Sequence, residues 1–227
     1  MKRKSCAAVI VAAGSASRMQ GIDKAVAPVG GVPVLLRTVR AMAASDRIDE
    51  IVVVTRADLL EAVHELCASE EKFRTAVCGG RTRAESVRRG LLAVETDLAA
   101  IHDGARPFVT PEIIDRTVEA AEVCGAAAPA IPARDTMKIA CDGYVVTTPD
   151  RSTLFAVQTP QIFERTQILR ALDEALRRGL PLTDDCSAME ALGAAIVLTP
   201  GSDENIKITT PIDLLFAEAI LKRRQTP

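Results

Sequence analysis

Two basic residues, Arg18 and Lys24, follow the small-residue loop Ala12-Ala13-Gly14 near the start of the chain. The loop comes directly after an apolar run from Cys6 that is long enough for one strand buried on both faces. Small residues let backbone N–H groups approach a ligand closely, and such amides favour anions. The stretch therefore predicts a cradle for a triphosphate. The alternative is an ordinary strand–loop connection with two solvated cations.

The loop matches neither of two common nucleotide-binding patterns. It is not G-x-x-x-x-G-K-[ST], so it is not a P-loop. It is not G-x-G-x-x-G either, so the dinucleotide fingerprint is absent. A nucleotide bound here would be held in another way.

Two further polar segments also follow predicted strands. Gly80 and Ser86 come after one of them, and we expect them near a base and ribose, with a backbone amide or the Ser86 hydroxyl reading a pyrimidine edge. Asp103 follows another and is placed for a metal or a substrate hydroxyl, although an Asp before Gly also favours a plain turn. Because ligands bind outside the carboxyl ends of parallel strands, these segments can share one crevice with the first loop.

Nucleotidyl transfer is the chemistry that such groups would serve. A phosphate or alcohol attacks the α-phosphorus of a nucleoside triphosphate, and pyrophosphate leaves. The charge spreads over phosphoryl oxygens, so catalysis depends mainly on positioning and on cations. Arg18 and Lys24 are the candidate cations, and Mg²⁺ held by few carboxylates and several waters is usual at such sites.

Composition excludes several other classes of function. The net charge is −2 without a basic block, which argues against nucleic-acid binding through phosphate contacts. No apolar run approaches the length of a membrane span. The six cysteines are scattered without C-x-x-C spacing, and there are only two histidines, so zinc and disulfide frameworks are not indicated. The simplest location is a reducing cytoplasm.

Apolar strand-like runs alternate with amphipathic helical patterns along most of the chain. This rhythm predicts an α/β fold with a mostly parallel twisted sheet and helices on both faces. The predicted strands include 6–12, 51–55, 75–78, 98–101, 126–131 and 195–198. The predicted helices include 33–42, 58–67, 86–94, 164–178 and those starting at Pro111 and Pro211, with a short one after Asp185.

The rhythm breaks at about 132–160. Two short runs, 137–140 and 144–148, flank Cys141-Asp142-Gly143, and Asp-Gly in this setting indicates a hairpin. An isolated hairpin is marginal in water, so we expect an arm that packs on a second subunit. A hairpin lying on its own domain is the alternative. The whole chain, 1–227, is otherwise expected to be one domain.

The quoted motifs together resemble those of the 2-C-methyl-D-erythritol 4-phosphate cytidylyltransferase family. The resemblance runs in order over nearly the whole chain, which makes the combination far more specific than any single motif. Beyond the first loop, it is carried by Gly79-Gly80…Arg83-x-x-Ser86-Val87, His102-Asp103-Gly104-Ala105-Arg106-Pro107, Arg134-Asp135-Thr136-Met137-Lys138, Thr159-Pro160-Gln161, Thr183-Asp184-Asp185-x-Ser187-Ala188 and Asn205-Ile206-Lys207-Ile208-Thr209.

The resemblance implies a Rossmann-like nucleotidyltransferase fold with a dimerising β-arm. It implies a homodimer that couples CTP with methylerythritol phosphate in non-mevalonate isoprenoid synthesis and requires Mg²⁺. The implied CTP-binding residues are Ala12, Ala13, Gly14, Gly80, Ser86 and Lys207. The implied acceptor-binding residues are Asp103, Arg106, Thr136 and Arg151. Arg18 and Lys24 would stabilise the transition state, Arg151 and Lys207 would position the acceptor phosphate, and Asp103 is the candidate Mg²⁺ ligand.

Two departures from the family pattern and two rival functions remain open. Asp23 and Ala25 flank Lys24 where the family usually has Pro and Gln, and Arg81 stands where a smaller or acidic residue is common. One rival is a cytidylyltransferase for another polyol phosphate, such as ribitol 5-phosphate. The other is a non-catalytic nucleotide-binding sensor, which degenerate residues in place of Arg18 or Lys24 would have favoured.

Overall fold

A computed structural model describes residues 3–14 and 27–225 of the chain. Its strands are β1 (Cys6–Val11), β2 (Pro28–Val29), β3 (Val32–Pro33), β4 (Glu50–Thr55), β5 (Phe73–Cys78), β6 (Leu98–Asp103), β7 (Ala126–Pro132), β8 (Ile139–Cys141), β9 (Tyr144–Thr147), β10 (Phe155–Val157), β11 (Gln161–Glu164) and β12 (Val197–Pro200). Its helices are α1 (Val34–Ala43), α2 (Leu60–Cys67), α3 (Arg83–Leu92), α4 (Pro111–Cys124), α5 (Arg165–Arg178), α6 (Asp185–Glu190) and α7 (Pro211–Gln225).

Eight of these strands form one mixed sheet. Their order is β10-β7-β11-β6-β1-β4-β5, and β12 also pairs with β7. The pairs β1–β4, β1–β6, β4–β5 and β12–β7 are parallel, whereas β11 is antiparallel to β6 and β7, and β10 to β7. The predicted α/β fold with a mostly parallel sheet is confirmed.

Helices cover both faces of the sheet because neighbouring residues of a buried strand point to opposite sides. In β1, Ala8 and Ile10 face the layer formed by α1, α2 and α4. Ala7 and Val9 face the layer formed by α3, α5 and α6. Apolar residues therefore occupy both faces of β1, as its sequence indicates. A third, smaller cluster packs α7 against Val29 and Phe108.

Three short pieces of β-structure were not predicted from the sequence. The β2–β3 ladder joins two residues on each side, and β10 and β11 have three and four residues. These segments are too short to show a period of two, and tertiary pairing decides their conformation. Elsewhere the predicted and observed bounds differ by at most three residues, as at the last strand, where 195–198 was predicted and Val197–Pro200 is observed.

The predicted hairpin is present as β8 and β9, a separate two-stranded sheet. Asp142 and Gly143 at its tip have φ values of 50° and 83°. Positive φ at both central residues is typical of the type I′ turn that matches strand twist. The hairpin is exposed in the single chain, and Tyr144 and Val146 keep 79% and 64% of their accessible surface.

Within the described ranges, no helix combines the length and apolar character needed to cross a membrane.

Gly90 allows α3 to lie directly on the sheet. A Cβ atom at this position would come within 2.4 Å of Val9 Cγ1 and 2.6 Å of Val54 Cγ2. Both neighbours are β-branched side chains of central strands, so they have little freedom to move aside. Gly90 therefore keeps the helix in contact with β1 and β4.

We expect Gly90→Ala to destabilise the protein. Alanine gains about 1 kcal/mol in helix propensity, but overpacking a core costs roughly 1–3 kcal/mol, so the loss prevails. Urea unfolding measures the change, and Leu92→Ala, at an exposed position of the same helix, is the control. A Gly90→Ala protein more stable than wild type would contradict this account of the packing.

Candidate active site

The polar segments expected to share a crevice do meet at one edge of the sheet. Backbone hydrogen bonds join Ala12 N to Val54 O over 2.7 Å and Gly104 N to Val11 O over 2.9 Å. Gly79 N donates to Thr55 O over 2.7 Å. The loops that follow β1, β5 and β6 thus continue the parallel strands beyond their carboxyl ends, where ligands bind in such sheets.

Small residues are required where these loops touch. A Cβ atom on Gly79 would lie 2.5 Å from Ala13 Cβ and 2.9 Å from Ser86 Oγ. A Cβ on Gly104 would lie 2.9 Å from Ala12 Cβ. Ala12 and Ala13 are therefore part of a closely packed floor, whereas Gly14 is exposed and a Cβ atom there would meet nothing within 4 Å. The proposed cations Arg18 and Lys24, and Asp23 beside them, lie outside the described residues.

Ser86 is nearly buried and shapes the loop after β5. Its hydroxyl donates to Thr82 O over 2.9 Å and accepts from Gly80 N over 3.0 Å. The Arg81 amide is also used, because it donates to a Glu85 carboxylate oxygen over 2.9 Å. Neither the Ser86 proton nor these two amides are free for a base in this conformation. Base reading by this loop stays a prediction.

The centre of the site is the nearly buried carboxylate of Asp103. Its Oδ2 contacts Lys207 Nζ at 2.9 Å and Arg106 Nε at 3.4 Å, and its Oδ1 faces Arg83 Nη2 at 3.6 Å. Burial alone would raise the pKa of Asp103, but Lys207, Arg83 and Arg106 outweigh it and hold this pKa well below its usual range. The structure thus brings together Asp103, Arg106 and Lys207, all of which the family resemblance places at the acceptor.

Arg83 extends this cluster to a second carboxylate. Its Nη1 lies 2.7 Å from Asp185 Oδ2, and the Asp185 side chain is 1% exposed. Burial raises the pKa of Asp185, and the ion pair with Arg83 opposes that rise. Three cations therefore surround two carboxylates, an arrangement that attracts a further anion such as a phosphate group. Sequence reasoning gave Arg83 and Asp185 no role, although both lie in the motifs that carry the family resemblance.

A buried hydrogen-bond network supports the turn that bears Asp103 and Arg106. Thr159 Oγ1 accepts from Asp103 N over 3.1 Å and lies 3.0 Å from His102 Nδ1. His102 Nε2 lies 3.1 Å from Arg106 O. Asn205 joins the network, because its backbone carbonyl oxygen accepts a hydrogen bond from Arg106 Nη1 over 2.7 Å. The sequence indicated no role for His102 or Thr159, since nothing in their spacing shows that they meet.

The predicted arm residues are placed apart from this cluster. Thr136 and Arg151 are exposed, and Arg151 Nη1 donates to Arg134 O over 3.0 Å. In the described part of the chain, no hydrogen bond or ion pair connects either of them to Asp103, Arg106 or Lys207. The arm residues therefore do not contribute to this cluster within one subunit.

The described residues do not fit a metal ion held by the protein. They contain no group of three or more His, Cys, Asp or Glu side chains arranged for one. Asp103, the candidate ligand, is already committed to Lys207, Arg106 and Arg83. A cation at this carboxylate would have to displace these partners.

Comparison with known proteins gives a consistent result over the whole chain. The sequence pattern of the family described as 2-C-methyl-D-erythritol 4-phosphate cytidylyltransferase matches residues 6–223. A protein of that name from Syntrophus aciditrophicus is 42% identical over 229 residues, which is 96% of each chain. One from Desulforamulus reducens is 43% identical over 224 residues, again 96% of each chain. The crystal structure of 4-diphosphocytidyl-2C-methyl-D-erythritol synthase from Anaerococcus prevotii superposes with a TM-score of 0.88 at 33% identity, covering 97% of both chains.

We expect His102 to make stability depend on pH. Burial lowers the pKa of His102 to about 4 from 6.5. An unfolded His102 binds a proton below 6.5 whereas the folded one stays neutral, so stability falls as the pH drops from 6.5 toward 4. By this linkage, wild type loses about 2 kcal/mol more between pH 7 and pH 5 than His102→Gln.

Urea unfolding at several pH values measures this difference. The exposed His64 offers the control, because His64→Gln removes a histidine without touching the buried network around Asp103. Equal pH dependence of wild type and His102→Gln would contradict a buried neutral imidazole at this position.

Proposed function

Because the chain belongs to the 2-C-methyl-D-erythritol 4-phosphate cytidylyltransferase family, we propose that it transfers the cytidylyl group of CTP to 2-C-methyl-D-erythritol 4-phosphate. The products are 4-diphosphocytidyl-2-C-methyl-D-erythritol and pyrophosphate, in non-mevalonate isoprenoid biosynthesis. The observation that carries the proposal is the Asp103–Arg106–Lys207 cluster, at the ligand-binding edge of a fold shared with this family over its full length. We place the reaction in the cytoplasm, consistent with six scattered cysteines.

The reaction requires cations rather than a strong base. An oxygen of the acceptor phosphate attacks the α-phosphorus of CTP, a new P–O bond forms, and the bond to the pyrophosphate leaving group breaks. The acceptor is a phosphate monoester whose second pKa is about 6, so it is largely ionised at neutral pH. Two anions must be brought together, and charge-assisted hydrogen bonds from Arg and Lys serve this purpose.

Lys207 and Arg106 are proposed to hold the acceptor phosphate, with Asp103 placing both cations. The Lys207 side chain keeps 43% of its exposure, so its ammonium group can reach a ligand while it contacts Asp103. Asp103 also offers an acceptor oxygen to a hydroxyl of the polyol. Lys207 contacts Asp103, which pairs with Val11 at the carboxyl end of β1, and this neighbourhood supports the proposed contact of Lys207 with CTP.

The CTP half of the site is proposed from the loops after β1 and β5. Ala12, Ala13 and Gly14 would line the nucleotide, and Ser86 would hold Gly80 against the base. Arg18 and Lys24 stay proposed as the cations that stabilise the transition state at the α-phosphate. Interactions made only in the transition state raise turnover rather than ground-state affinity.

Magnesium is proposed to enter with the substrate as MgCTP. Mg²⁺ retains several waters and commonly binds substrate phosphates with little help from protein carboxylates. This assignment agrees with the absence of a metal-binding cluster in residues 3–14 and 27–225.

A homodimer formed through the arm is proposed to complete the site. The arm carries exposed apolar side chains, including Ile139, Tyr144 and Val146, which an isolated monomer would leave in water. Its Thr136 and Arg151 have no place at their own Asp103 cluster, but an arm that lies across a partner would bring them to the partner's acceptor site. Most soluble homodimers have the two-fold symmetry that makes this exchange reciprocal.

An acceptor comparison tests the function. With CTP and Mg²⁺, we expect pyrophosphate release to be fastest with methylerythritol phosphate and at least about tenfold slower, per kcat/KM, with ribitol 5-phosphate, because a site that hydrogen-bonds one polyol leaves polar groups unpaired with another. Preference for ribitol phosphate would contradict the proposed acceptor. A lack of pyrophosphate release with either acceptor, while CTP still binds, would favour the sensor.

Mixed dimers test whether the arm acts in the partner's site. Arg151→Ala should raise the KM for the acceptor more than that for CTP, and Lys207→Ala should also be severely impaired. When the two variants are mixed and exchange subunits, half of the dimers pair one of each and contain one intact site. Activity should then recover to about a quarter of wild type.

Each variant mixed with itself is the control for this recovery. Native mass spectrometry counts the mixed dimers, and sedimentation gives the oligomeric state. Mixed dimers without recovered activity would contradict an arm that acts in trans, and a fully active monomer would contradict the dimer itself.

A further inference from the structure

We infer that Thr159 and His102 are positioning residues that hold Asp103 and Arg106 in place at the acceptor site, an inference that rests on the proposed function. The His102 ring nitrogens and the Thr159 hydroxyl all lie within hydrogen-bond distance of protein groups. Both residues are buried directly behind the turn whose side chains form the acceptor cluster. Their hydrogen bonds reach the backbone at the two ends of that turn.

For a neutral imidazole at position 102, the hydrogen bonds have only one consistent direction. Arg106 O can only accept, so His102 Nε2 must carry a proton. A neutral imidazole carries one proton, which leaves His102 Nδ1 as an acceptor. The Thr159 hydroxyl therefore donates to Nδ1, while its oxygen accepts from the Asp103 amide. The structure thus assigns the Nε2–H tautomer to His102.

This directed chain fixes both ends of the turn at once. Thr159 holds the Asp103 amide, and His102 holds the Arg106 carbonyl. Between them, the Gly104 carbonyl accepts from Thr38 Oγ1 over 3.0 Å. Asp103 and Arg106 therefore project from a backbone with almost no freedom. Displacing a positioned group by about 1 Å can reduce a rate on the order of a hundredfold.

The same segment also holds the loop that bears Lys207. Gln158, next to Thr159, donates to Ser202 O over 2.7 Å and accepts from Ser202 N and Asn205 Nδ2, each over 3.2 Å. Asn205 Nδ2 donates in addition to Thr159 O over 3.0 Å. Thr159 thus stands at the junction of the Asp103 turn and the Lys207 loop, and its hydroxyl is the part that serves the turn.

Substitution of Thr159 separates positioning from general stabilisation. Thr159→Val keeps the shape but removes the hydroxyl, and we expect kcat/KM for methylerythritol phosphate to fall about ten- to a hundredfold. The KM for CTP should stay within about twofold, because the loops after β1 and β5 are untouched. Thr159→Ser, which keeps the hydroxyl, should recover activity to within about threefold of wild type.

Thr117→Val is the matched control. Thr117 is also a buried threonine, and its hydroxyl bonds Ile113 O over 2.6 Å and Thr199 Oγ1 over 2.9 Å, outside the acceptor cluster. It should lower stability without changing either KM. Wild-type kinetics of Thr159→Val, or equal increases in both KM values, would overturn the inference.

The tautomer gives a readout that does not depend on activity or on a folded Thr159 variant. Nitrogen-15 NMR of the wild-type protein should show His102 with a protonated Nε2 and an unprotonated Nδ1. The chain has only two histidines, so His64→Gln assigns the signals. An Nδ1–H tautomer would overturn the inference, even if Thr159→Val fails to fold. Wild type that shows the expected tautomer but releases no pyrophosphate would contradict the proposed function instead.

Discussion

The site depends on a carboxylate that is nearly buried and yet stays ionised because three cations surround it. Asp103 sits at the end of β6, Arg83 comes from the start of α3, and Lys207 comes from the loop before α7. Removing a charge from water is strongly unfavourable unless it is paired and hydrogen-bonded. The folded state therefore keeps these three segments together, and the segments that supply the cations are those that a phosphate-binding site needs.

Around this charge cluster, the loops of the site pack closely against one another. The loops after β1, β5 and β6 touch through alanine and glycine, where even one added methyl group would meet a neighbour below 3 Å. Small residues give these loops fixed relative positions without side chains that would fill the crevice. The charged residues therefore project from closely packed loops whose relative positions are fixed. This combination suits a reaction that depends more on placing two anions than on proton transfer.

The sequence predicted the fold well where local patterns are strong. Central strands such as β4 are continuous apolar runs rich in branched residues, and α4 and α5 both end at a glycine with positive φ. Short β10 and β11 were missed because three or four residues carry no periodicity. The meeting of Asp103 with Lys207 was expected only from the family resemblance, since spacing along the chain does not show contacts. Thr159, His102 and Asp185 were missed for the same reason, and Arg18 and Lys24 stay predictions.

The exposed arm contains the one residue of the chain that can serve as an intrinsic tyrosine fluorophore. The chain has no tryptophan and a single tyrosine, and that tyrosine is Tyr144, beside the turn of the hairpin. Its phenol ring is largely in water in the single chain. Ultraviolet emission excited near the red edge of tyrosine absorption thus originates from one ring at one place. Without any label, the protein carries a chromophore that reports the environment of its arm and ignores the rest of the fold.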